Sequence, residues 1–434
     1  MAGSGCWLDR QVAEILVKRI LMIAYHYPPD RISSGIQRTL KFSRYLLDAG
    51  WTPSVLTVHP RAYQQSGDDQ LYEIPDAVDV RRAFAVDAAR HLSIKGRYPQ
   101  FLALPDRWSA WWLGGVWSGL SMIIRQRPQV LWSTYPIATA HLIALTLKRF
   151  TGLPWIADFR DSMTEDDYPA DPMVRKVYLW IERRVVERAD RVVFTTPGTM
   201  RLYGDRYPQL PRNKWVVIPN GYDEENFKAA TERVQPLAVG GPLILIHSGI
   251  LYPSERDPTC FFAALSALKG RNEIAADNLH IRLRATANDE VLSVMIDKYE
   301  IADIVSLEPS IPYADALGEM LQADGLLLFQ ASNCNHQIPA KLYEYFRARR
   351  PLLGLTDPAG DTAQLMRETG ITTIVRLNSQ ADIEKGLLEF IASINSQSAP
   401  LASEQDIKRF SRQAGAEQLA EILEDLPGLE SAET

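Results

Sequence analysis

Four segments of this 434-residue chain carry side chains whose spacing allows chemistry on an anion that bears hydroxyl groups. In the first, 155–162, Asp158, Arg160 and Asp161 crowd the carboxyl end of an apolar run. A carboxylate there accepts hydrogen bonds from hydroxyls, and a guanidinium grips phosphate or carboxylate in a fork. The competing reading is an internal Arg–Asp pair that only fixes the loop. In the second, 338–346, Pro339 suits the first turn of a helix, which places Lys341 near its N-terminus and Glu344 one turn further on. The lysine can meet a phosphate and the glutamate two hydroxyls; the alternative is an exposed i, i+3 charge pair. In the third, 246–258, a strand end runs into Gly249 and then Arg256, which can reach a diphosphate or pair with Glu255 or Asp257. The fourth is the loop 25–36, with His26 and Gly35. Glycine lets backbone N–H groups approach a ligand, and the following helix offers its N-terminus to an anion. An ordinary strand-to-helix turn is the other reading, since neither a Walker loop nor Gly-x-Gly-x-x-Gly is present.

The elements that must position these residues alternate. Apolar or β-branched runs at 19–24, 54–58, 130–133, 155–158, 192–195 and 215–218 read as strands, with helix-length segments between most of them. The segment 36–49 reads as a helix that stops at Gly50. After a break at 235–242, a second series follows at 243–247, 281–284, 304–307, 326–329 and 352–355. Such alternation predicts an α/β chain of two parallel, doubly wound sheets. Ligands of these sheets sit outside the carboxyl ends of the strands, so a substrate touching both domains would lie in the cleft between them. A last helix, 413–426, is expected either to cap the second sheet or to return to the first domain.

Composition sets outer limits. Hydrophobic residues at 46% and charged residues at 23% describe a globular chain. A formal net charge of −6 argues against a surface built mainly to neutralise nucleic-acid phosphates. Cys6, Cys260 and Cys334 are too scattered for a disulfide framework or a short-spaced metal site, which fits a reducing cytoplasm. Residues 1–18 contain four charges and no long apolar core, and read as a lead-in rather than a signal peptide. The uncharged stretch 128–147 contains Pro136 and His141, and splits better into a strand and a helix than into a membrane span.

Taken in order, the segments resemble the retaining glycosyltransferases of family four. The likeness rests on the Tyr-Pro-Pro…Gly opening, Pro105-Asp106…Trp108, Asp158-Phe-Arg-Asp161, Ile218-Pro-Asn-Gly-Tyr-Asp223, Ser248-Gly-Ile-Leu-Tyr…Arg256-Asp-Pro and Pro339-Ala-Lys-Leu-Tyr-Glu-Tyr. The resemblance implies a GT-B architecture, with two Rossmann-like domains facing across a cleft. Its divisions are a lead-in at 1–18, an acceptor-side domain at 19–220, a linker at 221–242, a nucleotide-sugar domain at 243–412 and a C-terminal helix and tail at 413–434. It further implies transfer of a sugar from a nucleoside diphosphate sugar, in UDP or GDP form, to a glycan or lipid-linked acceptor hydroxyl in polysaccharide or glycolipid assembly. The anomeric configuration would be retained, and neither metal nor any other cofactor is called for.

The sequence contains no Asp-x-Asp pair, so phosphate charge falls to Arg256, Lys341 and backbone N–H groups. In similar enzymes a glutamate at the position of Glu344 holds the donor ribose, and another eight residues earlier lies near the sugar; here that place is His336. The usual arginine after the glycine is Ile250, and Arg256 takes part of its role. The resemblance thus places Asp161, Arg256 and Lys341 in catalysis, Gly35, Gly249, His336 and Glu344 on the donor, and His26 and Arg160 on the acceptor side.

Between Trp108 and Arg127 four tryptophans precede two arginines. Leu113, Val116, Leu120, Ile123 and Ile124 have helical spacing that predicts a core face. The remaining aromatics can pack internally or meet the inner face of a membrane. Two rivals stay open: a nucleotide-sugar 2-epimerase of the same architecture, and a catalytically silent nucleotide-sugar binder, which His336 and Ile250 keep in view.

Overall fold

The computed structural model describes residues 17–31, 35–93, 98–99, 103–166, 168–234 and 240–427. Cys6 and most of the expected lead-in, loop residues 32–34, the break at 235–239 and the tail from 428 lie outside the described residues. The chain divides into two units, the first made of Met1–Pro219 with Arg412–Thr434 and the second of Asn220–Ser411.

The first unit is built on seven strands: β1 (Lys18–Ile23), β2 (Trp51–Val58), β3 (Asp79–Ala83), β4 (Val130–Thr134), β5 (Trp155–Phe159), β6 (Arg191–Phe194) and β7 (Trp215–Val217). All pair in parallel, in the order β3-β2-β1-β4-β5-β6-β7. The helices are α1 (Ile36–Asp48), a single turn α2 (Ala88–His91), α3 (Trp111–Gln126), α4 (Ala138–Thr151), α5 (Pro172–Arg188) and α6 (Pro197–Arg206). Strand side chains alternate between two cores. Leu21 and Ile23 join the one that contains Trp111, Ile143 and Ile181, while Ile20 and Met22 join the one that contains Leu40 and Leu46. A sheet covered on both faces needs largely apolar strands, as the central ones are here.

The second unit holds α7 (Glu224–Thr231), β8 (Leu243–Ser248), α8 (Thr259–Gly270), β9 (Leu279–Arg284), α9 (Asp289–Lys298), β10 (Val305–Glu308), α10 (Tyr313–Gln322), β11 (Gly325–Phe329), α11 (Ala340–Ala348), β12 (Leu352–Leu355), α12 (Asp361–Glu368), β13 (Ile374–Val375), α13 (Gln380–Asn395) and the short α14 (Glu404–Lys408). Its six strands are again all parallel, in the order β10-β9-β8-β11-β12-β13. The stretch 221–242, expected as a linker, contains α7, whose Phe227 and Ala230 pack into this unit's core with Leu317 and Met320.

The final helix, α15 (Arg412–Glu424), settles the alternative left open by the sequence. Its Ala416, Leu419, Ala420 and Leu423 are buried in the first unit's core beside Leu40 and Phe42. The same unit also shows where the hydrophobic pattern of α3 misleads. Leu113 and Ile124 stand in solvent, and the buried stripe is Trp111, Gly115, Ser118, Gly119 and Met122. The reason is close approach: a Cβ on Gly115 would lie 2.4 Å from Ile143 Cδ1, and one on Gly119 2.6 Å from Leu147 Cδ1. Small residues therefore form the closest contact with α4, while Val116, Leu120 and Ile123 of the expected face pack partly buried on the same core and only Leu113 and Ile124 are left outside. No helix among the described residues is long and apolar enough to cross a membrane, and 128–147 forms β4 and α4.

Candidate functional site

Each sheet reverses its winding once, between β1 and β4 in the first unit and between β8 and β11 in the second. Loops leaving two such strands part in opposite directions and open a crevice at their carboxyl ends, where parallel sheets bind ligands. Most of the predicted residues lie on these loops or on the helices that follow; Arg160 and Asp161 follow β5, the neighbour of β4.

In the first unit, Asp158 is the penultimate residue of β5 and is fully buried. It does not pair with Arg160. Arg38, from the first turn of α1, donates to it through Nε at 3.0 Å and Nη2 at 2.8 Å, and Thr134 Oγ1 at the end of β4 donates at 2.8 Å. The guanidinium also donates to the carbonyls of Ile218 and Pro219, both at 3.1 Å. The internal pair anticipated for this loop therefore exists, but its cation comes from 120 residues earlier in the chain.

Arg160 and Asp161 share no hydrogen bond or close ion pair, but each is the strongest charge acting on the other. Asp161 is exposed and Arg160 half-buried. The Arg160 carbonyl accepts from Thr195 Oγ1 at 2.7 Å, which fixes the backbone, while its Nε is buried without a hydrogen-bond partner.

His26 follows β1, and its Nδ1 lies 2.6 Å from the buried Asp30 carboxylate. Burial holds the imidazole pKa below its ordinary value, opposed by the bond to Asp30, so the ring is neutral at pH 7. Nδ1–H is then the donor to Asp30, which leaves the Nε2 lone pair available. Gly35 caps α1 at φ −62°, a conformation open to any residue, so its backbone does not require glycine.

In the second unit β8 ends at Ser248, and Gly249 turns the chain at φ +140°, where a side chain would be strained. Arg256, half-buried in the same loop, makes no ion pair with Glu255 or Asp257. Its Nη1 donates to the Ile250 carbonyl at 2.7 Å, and its guanidinium lies 5.4 Å from the centre of the Tyr252 ring. Asp257 instead accepts from Thr259 N–H and Oγ1, at 2.9 and 2.5 Å, at the start of α8.

This loop is tied to the one after β11. Ala331 N–H donates to the Glu255 carbonyl at 2.6 Å, and Asn333 Nδ2 to the Ser254 carbonyl at 3.1 Å. His336 is half-buried further along the second loop. Pro339 caps α11, which sets Lys341 in its first turn.

Lys341 Nζ donates to Glu344 Oε2 at 2.8 Å, and Tyr313 Oη donates to Glu344 Oε1 at 2.8 Å. The expected i, i+3 pair forms, but not on an exposed surface: Glu344 is 7% accessible. Arg256 and Lys341 both act electrostatically on the buried His247, whose pKa falls to about 4, chiefly through desolvation, with the two cations adding to the effect.

The structure thus gathers Gly249, Arg256, His336, Lys341 and Glu344 on the second unit, and His26, Gly35, Arg160 and Asp161 on the first. Sequence reading missed Arg38, Gln37, Tyr313 and His247. A basic residue in the first turn of the helix that follows β1, where a parallel sheet binds ligands, was the available signal for Arg38. Tyr313 joins Glu344 only through the fold.

Residues 35–221 match a family model described as a glycosyl transferase 4-like domain. No curated protein matches the chain by sequence. Among solved structures, a sucrose-phosphate synthase from Thermosynechococcus elongatus is similar over 94% of this chain and 98% of its own, with TM-score 0.66 and 13% identity. HepE of Anabaena, crystallised with UDP and glucose, is similar over 94% of this chain and 100% of its own, with TM-score 0.65 and 12% identity. A Listeria monocytogenes protein described as a UDP-N-acetylglucosamine 2-epimerase aligns over 94% and 96%, with TM-score 0.57 and 12% identity. At such identities the likeness is one of fold, and a fold shared by transferase and epimerase does not choose between their reactions. The chain has the α/β fold of GT-B proteins, with two Rossmann-like domains of seven and six parallel strands.

Proposed function

We propose that the chain is a glycosyltransferase that moves a sugar from a nucleoside diphosphate sugar to an acceptor hydroxyl with retention of configuration and without a metal. The observation that carries this reading is the cluster at the turn of the second sheet. Arg256, a cation with no carboxylate partner among the described residues, shares the neighbourhood of His247 with Lys341 of the Lys341–Glu344 pair. Negative charge grows on a departing diphosphate, and preorganised cations in a partly dry site stabilise it. Glu344, buried and already accepting two hydrogen bonds, can exchange Tyr313 and Lys341 for ribose hydroxyls and so release Lys341 to phosphate.

Retention without an enzymic nucleophile fits attack on the face the leaving group departs from, with a phosphate oxygen taking the acceptor proton. The protein then positions and neutralises. The glycosyl transferase 4-like match and the neighbours bound to UDP and glucose support this assignment. The setting we propose is polysaccharide or glycolipid assembly on the cytoplasmic face of a membrane. The exposed stripe of α3, with Trp117 79% and Ile124 77% accessible above Arg125 and Arg127, supports it.

Incubation with UDP- and GDP-sugars in excess EDTA tests the reading. Release of the nucleoside diphosphate with transfer or hydrolysis of the sugar is expected. Rescue by magnesium or manganese removes the metal-independent part, and interconversion of free donor epimers makes the protein an epimerase. Binding without turnover makes it a silent binder.

A further inference from the structure

Both oxygens of Glu344 are filled by side chains that a ligand can replace. Tyr313, the first residue of α10, donates from Oη to Oε1, and Lys341, one turn back on α11, donates from Nζ to Oε2, both at 2.8 Å. Among the described residues the carboxylate has no other hydrogen-bond partner. The ammonium also lies 5.7 Å from the centre of the Tyr313 ring, so this one residue holds the acid through its hydroxyl and the cation through its π face. Accessibility separates the pair: the Lys341 side chain is 31% exposed and that of Glu344 9%. A ligand therefore meets the lysine first and reaches the carboxylate only by displacing a donor.

The count of donors decides which ligand can do so. A buried carboxylate that loses a donor is left with an open acceptor, which costs more than an ordinary hydrogen bond returns. Phosphate and diphosphate offer acceptor oxygens, so they cannot refill Glu344, and drawing Lys341 towards them leaves Oε2 empty. Two adjacent hydroxyls offer two O–H donors, matched in number to the two oxygens. Tyr313 and Lys341 thus occupy the places of two hydroxyls. A ligand that carries hydroxyls and phosphate together satisfies the carboxylate and the ammonium in one event.

We propose that Tyr313 and Lys341 are placeholders that make phosphate recognition depend on ribose: the hydroxyls of a nucleotide displace both from Glu344, and only then does Lys341 turn to the diphosphate. The second unit in this way discriminates a nucleoside diphosphate from inorganic diphosphate. The identity of the ligand rests on the nucleotide-sugar reading; the network of three side chains does not.

Calorimetric titration of the full chain with UDP, GDP and inorganic diphosphate tests this. The wild type is expected to bind one of the nucleotides more tightly than diphosphate. Glu344→Gln keeps an acceptor for Tyr313 and removes the charge that detains Lys341. It is expected to move the two ligands in opposite directions, nucleotide weaker and diphosphate tighter, each by about threefold to tenfold. Adding Lys341→Met cancels the gain in diphosphate. Tyr313→Phe keeps the ring beside the ammonium and deletes the hydroxyl, so one ribose hydroxyl enters without displacing anything. Nucleotide binding is then expected to tighten by about threefold or more, with diphosphate binding unchanged. A tyrosine that merely braces Glu344 gives the reverse sign, and weaker nucleotide binding by Tyr313→Phe overturns the proposal even if Glu344→Gln does not fold. Unchanged or reduced diphosphate affinity in Glu344→Gln overturns it as well. A wild type that binds neither UDP nor GDP removes the nucleotide reading and the gate with it, whereas one that binds a nucleotide with the same affinities in both variants keeps that reading and loses the gate.

Discussion

Arg38 and Asp158 form a two-pronged ion pair, Nε and Nη2 on the carboxylate at 3.0 and 2.8 Å, with the two side chains 3% and 0% accessible. Removing one partner of such a pair leaves the other charge buried and uncompensated, which typically costs about 3–5 kcal/mol. Arg38→Met is therefore expected to destabilise the first unit by that order. Urea unfolding followed by tryptophan fluorescence measures it, and an unchanged midpoint would show that the pair is replaceable by water.

Lys341 and Glu344 are expected to separate in their kinetics. Lys341→Met keeps most of the stem and deletes a charge that acts on the leaving group, so kcat falls by roughly 10²–10³ while KM for the donor moves less. Glu344→Ala removes acceptors for two hydroxyls and weakens nucleotide binding, each bond to a charged group being worth about 1.5–3 kcal/mol. Steady-state kinetics and calorimetry read the two effects; rates within about threefold of wild type for Lys341→Met, well under 1 kcal/mol of barrier, place that lysine outside the site.

Two buried histidines give the stability a pH dependence. Desolvation holds His141 at about 3 and His247 at about 4, against an ordinary value of 6.5. Above pH 6.5 both are neutral whether folded or not, and neither contributes. As pH falls below 6.5 the unfolded chain takes up protons that the folded one refuses, and stability drops by about 1.4 kcal/mol per pH unit for each histidine. The loss is complete once pH is below the folded values. Denaturant midpoints between pH 7.5 and 4.5 measure the slope, and His141→Asn should flatten it for the first unit only.

The stripe of α3 predicts membrane binding. Trp112, Leu113, Trp117 and Ile124 are exposed, with Arg125 and Arg127 at the helix end. Sedimentation with vesicles rich in anionic lipid is expected to carry the protein down, and Trp117→Ser with Ile124→Ser to leave most of it in solution. Equal partition of both proteins, or none with either, counts against this face.

Most strands were legible because a sheet buried on both faces writes continuous apolar runs into the chain. The exceptions have physical reasons. β3 has the sequence Asp-Val-Arg-Arg-Ala, half-exposed at the edge of its sheet, and β13 is only two residues long. The core face of α3 was read correctly at Val116, Leu120 and Ile123 but not at Leu113 and Ile124, because Gly115 and Gly119 at its centre bury backbone rather than side chain, which a hydrophobicity pattern does not register. Lys341 and Glu344 were visible as neighbours on one helix, whereas the contacts of Glu344 with Tyr313 and of Asp158 with Arg38 span 31 and 120 residues and exist only after folding.

The return of α15 to the first unit bears on the order in which the chain matures during synthesis. Residues 220–411 form one unbroken stretch, so the second unit can fold as soon as that stretch has left the ribosome. The first unit, although begun earlier, waits with one face of its sheet covered only in part, by α1, until Leu419 and Leu423 emerge. A nascent chain halted near residue 411 should expose Leu40, Leu46 and their neighbours, a surface of the kind that chaperones hold.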